Sequence, residues 1–331
     1  MSAPLLQIRD LGVEFKTKKG MAAAVRGVSF DVDRGQSVAV VGESGSGKSV
    51  TVMALMGLLP SSAQITGSAQ FDGQELVGMP TKQLRPLRGR RIAMIFQDPM
   101  TAFNPVYTIG DQIVEALEAH GTAAGADAKR RATDLLEMVG VPEPAQRVDQ
   151  YPHEFSGGMR QRAMIAMAIS NSPDLLIADE PTTALDVTVQ AQVMDVLSDI
   201  RAETGAAMIL ITHDLGLVAG SAEDVQVMYG GRIFEQGNVD DVFYEPANPY
   251  TRGLLSSMPR VDSLDERLTP IQGSPPSILN MPAGCAFAPR CQHREAICGE
   301  TPADLLAVAE GHSSRCHRTD SLPAWRSAVA S

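Results

Sequence analysis

Gly42, Gly47, Lys48 and Ser49 stand in the spacing Gly-x4-Gly-Lys-Ser, within the run Gly42, Glu43, Ser44, Gly45, Ser46, Gly47, Lys48, Ser49, Val50. This is the Walker A pattern in full. Gly45 and Gly47 let the backbone turn its N–H groups inward around phosphates, and a helix starting there adds its positive end. Lys48 is placed to reach β- and γ-phosphates, and the Ser49 hydroxyl to bind Mg²⁺. Asp179 and Glu180 follow the apolar run Leu175 to Ala178, at the strand end where an α/β sheet opens its ligand crevice. Asp179 suits holding Mg²⁺ through water. Glu180 suits polarising a water in line with the γ-phosphate. Gln97 precedes Asp98-Pro99, in position to sense Mg²⁺ or the attacking water. His213 follows a further strand and Thr212, although a lone histidine is more often a satisfied structural residue.

A second constellation lies far downstream. Cys285, Cys291, Cys298 and Cys316 are all the cysteines of the chain, spaced Cys-x5-Cys-x6-Cys-x17-Cys. The Cys-x2-Cys knuckles common in zinc sites are missing. A reducing compartment argues against structural disulfides. Four thiolates could hold a [4Fe–4S] cluster or a zinc ion, or they could be plain thiols in a small core. His293, His312 and His317 lie near enough in sequence to replace a ligand, with surface solvation the blander account.

The elements that must position these residues alternate. Strands are expected over Leu5 to Phe15, Val28 to Val32, Ser37 to Val41, Ile92 to Phe96, Leu175 to Ala178 and Ala207 to Ile211. Helices are expected over Lys48 to Leu58, in two segments from Ile109 to Gly140, over Arg160 to Ser170 and over Val187 to Glu203. Val189, Val193, Val196 and Leu197 share one face of the last. This alternation predicts a mostly parallel α/β sheet, with an inserted helical subdomain at about 98–170. Val225 to Tyr229 and Arg232 to Glu235 read as a closing hairpin. Beyond about Pro259, Pro, Gly, Cys and polar residues take over. The reading is a cassette over 1–258 and a separate element over 259–331, too poor in apolar runs for a large core of its own.

Composition sets the outer limits. The chain has 331 residues, 44% of them hydrophobic, and a formal net charge of −11. A packed core is feasible and disorder is not expected. Without clustered Lys and Arg, nucleic acid is not expected as a partner. The start has no basic n-region followed by an apolar h-region, and no apolar run approaches the roughly 18 residues of a span. The expectation is a soluble, cytoplasmic chain whose link to a membrane runs through partner proteins.

The loop, the run Phe155-Ser156-Gly157-Gly158-Met159, the Asp179-Glu180 pair and His213 together resemble the ATP-binding subunits of ABC transporters over about residues 5–257. The resemblance implies a P-loop ABC ATPase cassette with N-terminal antiparallel strands and a helical subdomain insert, followed here by the small Cys-containing element. It makes Ser156-Gly157-Gly158 the signature motif, which starts a helix near Met159 and serves the γ-phosphate on the other subunit, so that two ATPs are sandwiched between two cassettes. Ala184-Leu185-Asp186 resembles the D-loop, Gln97 the Q-loop and His213 the H-loop contacting the γ-phosphate. Phe15 is the candidate for stacking on adenine, against a core strand aromatic. Phe155 and Met159 depart from the commoner Leu and Gln.

The stretches GESGSGKSVT, FQDPMTAFNP, FSGGMRQRAMIAMA, NPYTRGLLSSMP and GCAFAPRC are similar to the oligopeptide/dipeptide importer ATPases, in particular their D-type subunit. That branch implies a homologous F-type partner in a heterodimer, two transmembrane permeases and an extracytoplasmic solute-binding protein. It places the chain peripherally on the cytoplasmic face of the cell membrane. It also implies a [4Fe–4S] cluster on the four cysteines, with zinc as the alternative. Nickel, glutathione and oligosaccharide importers share the branch. A soluble ABC ATPase acting on nucleic acid or ribosomes fits poorly with the short insert before Ser156, the single cassette and the acidic balance. A P-loop kinase has no need of Glu180.

Overall fold

A computed structural model describes residues 3–183, 185–258 and 270–325. In chain order the strands are β1 (Leu6–Thr17), β2 (Gly20–Val32), β3 (Ser37–Val41), β4 (Ala63–Phe71), β5 (Gln74–Glu75), β6 (Ile92–Ile95), β7 (Leu175–Asp179), β8 (Ala207–Thr212), β9 (Asp224–Tyr229), β10 (Arg232–Asn238), β11 (Leu306–Ala309) and β12 (His312–Ser314). The longer helices are α1 (Lys48–Leu55), α2 (Ile109–Ala119), α3 (Gly125–Met138), α4 (Gly157–Ile169), α5 (Val187–Thr204) and α6 (Pro249–Ser256). They fall into two compact units. One gathers Met1–Val32, Ser37–Gly78 and Thr212–Ser331; the other gathers Asp33–Gln36 and Met79–Ile211.

In the first unit β2, β1, β4 and β5 form an antiparallel sheet in that order. The β1–β2 hairpin turns at Lys18-Lys19 and runs from Thr17↔Gly20 to Leu6↔Val32. β2 therefore begins at Gly20 rather than Val28. Met-Ala-Ala-Ala has little strand propensity of its own, but cross-strand pairing and burial of Ala22 and Val25 supply what propensity lacks. β4 and β5 carried no readable sequence signal. The half-exposed β4 forms on the edge that β1 offers, and the exposed two-residue β5 adds to β4.

The same unit holds β3, whose five residues are all buried. It pairs in parallel with β9, and β9 with β10 antiparallel. β12 and β11 extend β10 antiparallel. Its core joins Ala39, Val41, Val225, Val227, Tyr229, Phe234, Val242 and Phe243 to Tyr250 of α6 and to Ala286 and Phe287 of the C-terminal region. Residues 270–325, set apart in sequence as a separate element, thus share this core. The Phe287 ring meets Tyr229 and Tyr250 edge-on, with centroids 5.4 and 5.3 Å apart. Aromatic packing of this kind lets a tail without long apolar runs dock on a ready-made surface.

In the second unit β6, β7 and β8 are parallel, with Ile92↔Leu175 and Leu175↔Ala207 in register, and all three are buried. α2 starts in a capping box between Thr108 and Asp111 and buries Ile109, Ile113 and Leu117 along one face. It packs on α3, which buries Ala128, Ala132, Leu135 and Leu136. On α5 the buried stripe is Val193, Met194, Leu197 and Ile200. Val189 and Val196, expected in it, are half-buried at its margin.

Candidate functional site

The Gly42–Ser49 loop leaves the buried C-terminal end of β3 and enters α1 directly. Two glycines are required by space as well as by backbone. Gly42 has φ +151°, and a Cβ there would stand 2.1 Å from the Met228 carbonyl oxygen; Gly47 has φ +104°, with the Ala24 carbonyl oxygen 2.6 Å from its would-be Cβ. Gly45 is left-handed at φ +78° in open space. The sequence names all three glycines, and packing supplies a further reason at Gly42 and Gly47, where a side chain has no room. Lys48 is buried, and its Nζ donates to the Gly42 carbonyl at 2.7 Å and the Glu43 carbonyl at 3.2 Å. The ammonium is thereby folded back over the loop it serves. Ser49 and Val50 are half-buried, while Ser44 and Gly45 are exposed at the loop tip.

Two further residues brace the loop. The Glu43 N–H donates to Tyr250 Oη at 2.9 Å, and the Glu43 carboxylate takes a two-pronged ion pair from Arg290. Burial pushes the Tyr250 phenol far above its ordinary value, so it stays a neutral hydroxyl. Neither residue was singled out as functional from sequence. They sit inside the runs NPYTRGLLSSMP and GCAFAPRC, and no local pattern says that either touches the loop.

In the other unit Asp179 ends β7 and is 2% exposed. Glu180 follows with φ +48°, a left-handed backbone that is costly for a non-glycine residue. Its N–H bonds the Ile211 carbonyl at 2.9 Å and its carbonyl accepts from the Thr183 N–H at 3.2 Å, so the surrounding turn fixes the strained conformation. Its carboxylate Oε2 accepts from Gln97 Nε2 at 2.8 Å and from Thr183 Oγ1 at 2.9 Å. Gln97 and Glu180, 83 residues apart in sequence, are thus brought together, and Thr183 is an additional partner that sequence reasoning missed.

Ser156 caps α4 by accepting from the Met159 N–H at 3.3 Å, so the helix begins at Gly157 rather than near Met159. Ser156 and Gly157 are exposed, and Phe155 is buried as an anchor behind them. A Cβ on Gly157 would meet nothing within 4 Å. One on Gly158 would stand 2.9 Å from Val189 of α5. Asp186, also exposed, caps α5 by accepting from the Val189 N–H at 3.0 Å. The starts of α4 and α5 therefore lie side by side. Ala184 lies outside the described residues. His213 is exposed, just beyond the end of β8. Phe15 is half-buried near the end of β1, flanked across the strands by Ala22 and Ala63.

Cys285, Cys291, Cys298 and Cys316 line one small cavity together with Phe234, Phe287 and Ala288. Burial, with a lesser contribution from neighbouring thiols, pushes the Cys316 thiol up to about 11 and raises Cys285 and Cys291 as well. Among the described residues no three His, Cys, Asp or Glu side chains are disposed to hold a metal ion. His312 is not beside the thiols' cavity; its Nε2 pairs with the fully buried Glu235 at 2.8 Å.

The glycine loop, the acid pair ending a buried parallel strand and the capped α4 define a P-loop cassette, and solved structures agree. The ATP-binding cassette MJ0796, solved as a dimer in a post-hydrolysis state with ADP and Pi, superposes with a TM-score of 0.64 at 25% identity, covering 71% of this chain and 98% of that one. CbiO1 from Clostridium perfringens gives 0.61 at 27% identity, covering 74% and 92%. A family model described as ABC transporter matches residues 25–183, and one described as oligopeptide/dipeptide transporter, C-terminal region, matches 234–298. The dipeptide transport ATP-binding protein DppD of Bacillus subtilis is 49% identical over 96% of this chain and 95% of its own length. The oligopeptide transport ATP-binding protein OppD of Salmonella typhimurium is 49% identical over 95% and 93%. The chain belongs to the ABC transporter ATP-binding proteins, in the oligopeptide/dipeptide family. OppD of Mycobacterium tuberculosis is 51% identical over 99% of this chain, which spans about half (54%) of that relative's length.

Proposed function

We propose that this chain binds and hydrolyses ATP to energise an importer of di- or oligopeptides. The observation that carries this is the Glu180 carboxylate, held by Gln97 and Thr183 beside Asp179, in a chain about half identical to named peptide-transport ATP-binding proteins. In this reading Gly42–Val50 cradles the phosphates and Lys48 offsets their charge. Ser49 and Asp179, an oxygen donor pair of the right type, would hold Mg²⁺, which supplies charge neutralisation when bound. Glu180 orients the attacking water, with Gln97 fixing its carboxylate, and His213 steadies the γ-phosphate. Phe15 stacks on adenine.

Ser156, Gly157, Gly158 and Asp186 serve the nucleotide of a partner cassette, an F-type homologue. The exposure of Ser156, Gly157 and Asp186 supports this role. The cassette over 1–258 docks on two permeases, which meet the solute-binding protein. Met100, Val106 and Tyr107, which follow Gln97, are 56, 70 and 54% exposed, and apolar groups held outward suit such a contact. Among the described residues no helix is long and apolar enough to cross a membrane. A peripheral position on the cytoplasmic face follows from the proposed docking on the permeases. Substituting Glu180→Gln tests the assignment: in the assembled transporter MgATP binding persists and turnover falls roughly 10²-fold or more. Wild-type turnover would refute it.

The thiol cavity is the proposed seat of a [4Fe–4S] cluster. Zinc on the same four thiols is the alternative, and among the described residues no three of the ligands already converge for either group. A cubane engages each thiolate through a different iron, so its ligands need only surround one volume, as these four do. An iron assay and absorption spectrum on anaerobically purified chain check this; iron-free, colourless protein refutes it.

A further inference from the structure

Arg290 lies in the C-terminal region, one residue before Cys291, and is 247 residues from Glu43. Its guanidinium nonetheless grips the Glu43 carboxylate with both arms, Nη1 to Oε2 at 2.5 Å and Nη2 to Oε1 at 2.9 Å. The other donor contacts hold the guanidinium in place. Nε donates to the Gln272 carbonyl at 2.9 Å, Nη2 to the Ile271 carbonyl at 3.3 Å and Nη1 to Tyr229 Oη at 3.2 Å. The group also lies near the rings of Tyr229 and Phe287, 5.8 and 5.9 Å from their centroids. The Arg290 side chain is 5% exposed and that of Glu43 26%. This is a partly desolvated, two-pronged pair with a fixed orientation, unlike a mobile surface ion pair.

Glu43 is the residue between Gly42 and the exposed loop tip. It is held at three points: the N–H by Tyr250, the carbonyl by Lys48 and the carboxylate by Arg290. The first and third come from outside the loop, from elements on the C-terminal side of β10. We infer that Arg290 is a positioning residue for the phosphate loop, through which the C-terminal region sets nucleotide affinity. The inference rests on reading Gly42–Val50 as that loop. Arg290 does two things there. It fixes the Glu43 backbone, whose carbonyl shares the Lys48 ammonium. It also neutralises a carboxylate that would otherwise stand unpaired in the loop and repel incoming phosphates. A loop loosened in this way binds substrate and transition state equally poorly, so KM rises while kcat changes little.

The test is calorimetric titration of MgATP into the full chain at fixed ionic strength. Arg290→Ala is expected to raise Kd about tenfold, and Arg290→Lys, which keeps the charge and loses the fork, to fall between. Adding Glu43→Gln to Arg290→Ala removes the stranded carboxylate and is expected to return Kd to within about threefold of wild type. Wild-type affinity in Arg290→Ala overturns the inference, as does a double variant no tighter than the single one, which would mark a general loss of packing. Where Arg290→Ala folds poorly by its thermal midpoint, wild-type affinity in Arg290→Lys overturns it equally. Lys48→Ala separates the two readings: undiminished MgATP binding in that variant refutes the phosphate loop itself, whatever Arg290 does.

Discussion

Two glycine-bearing helix starts, those of α1 and α4, have similar chemistry and opposite settings. At α1 the chain closes around its own loop. Gly42 and Gly47 sit against the carbonyls of Met228 and Ala24, Lys48 is 4% exposed, and Tyr250 and Arg290 hold Glu43 from behind. At α4 nothing covers the tip: Ser156 and Gly157 are exposed, as are Asp186 and, at 81%, Val187 at the neighbouring helix start. Both ends present backbone N–H groups with a positive dipole, a combination that suits phosphate. The difference teaches which one this chain finishes alone. The first is pre-organised by contacts from distant segments, whereas the second is braced from beneath, by Phe155 and by Gly158 against Val189, and left open above.

The contrast breaks most sharply at Gly42. Gly42→Ala drives a methyl into the Met228 carbonyl and strains a left-handed backbone, so MgATP affinity is expected to fall about 100-fold or more, read by titration. A smaller loss at Gly42 than at Gly157 would reverse the comparison. Gly157→Ala meets open space, so the isolated chain should keep its thermal midpoint and its own MgATP affinity. Steady-state hydrolysis of the assembled pair should nonetheless drop about tenfold, because the added methyl faces outward toward the proposed partner's nucleotide. The smallest effect belongs to the bracing beneath. Gly158→Ala is expected to destabilise the chain by about 1–2 kcal/mol through overpacking on Val189, and Val189→Ala in the same chain to recover most of it, as measured by chemical denaturation.

Much of this was legible in the residues because the relevant chemistry is local. A strand, a glycine loop and a lysine-bearing helix start are contiguous, so spacing alone declares them. Buried parallel strands such as Leu175–Asp179 announce themselves as short apolar runs. The first part of the hairpin arm, residues 20–27, and the strands Ala63–Phe71 and Gln74–Glu75 did not, because they are held by cross-strand partners rather than by propensity.

The sequence by itself determined the engine: a phosphate loop, an acid pair and a signature run, each encoded in a few consecutive residues whose backbone geometry follows from residue type. Only the tertiary structure decided what braces them. Gln97 on Glu180, and Tyr250 and Arg290 on Glu43, are pairings between segments 83 to 247 residues apart, and the Phe287 ring seats the C-terminal region in a shared aromatic core. Such pairs leave no spacing rule behind. They depend on where packing brings two side chains, and that is a property of the folded core rather than of any local stretch.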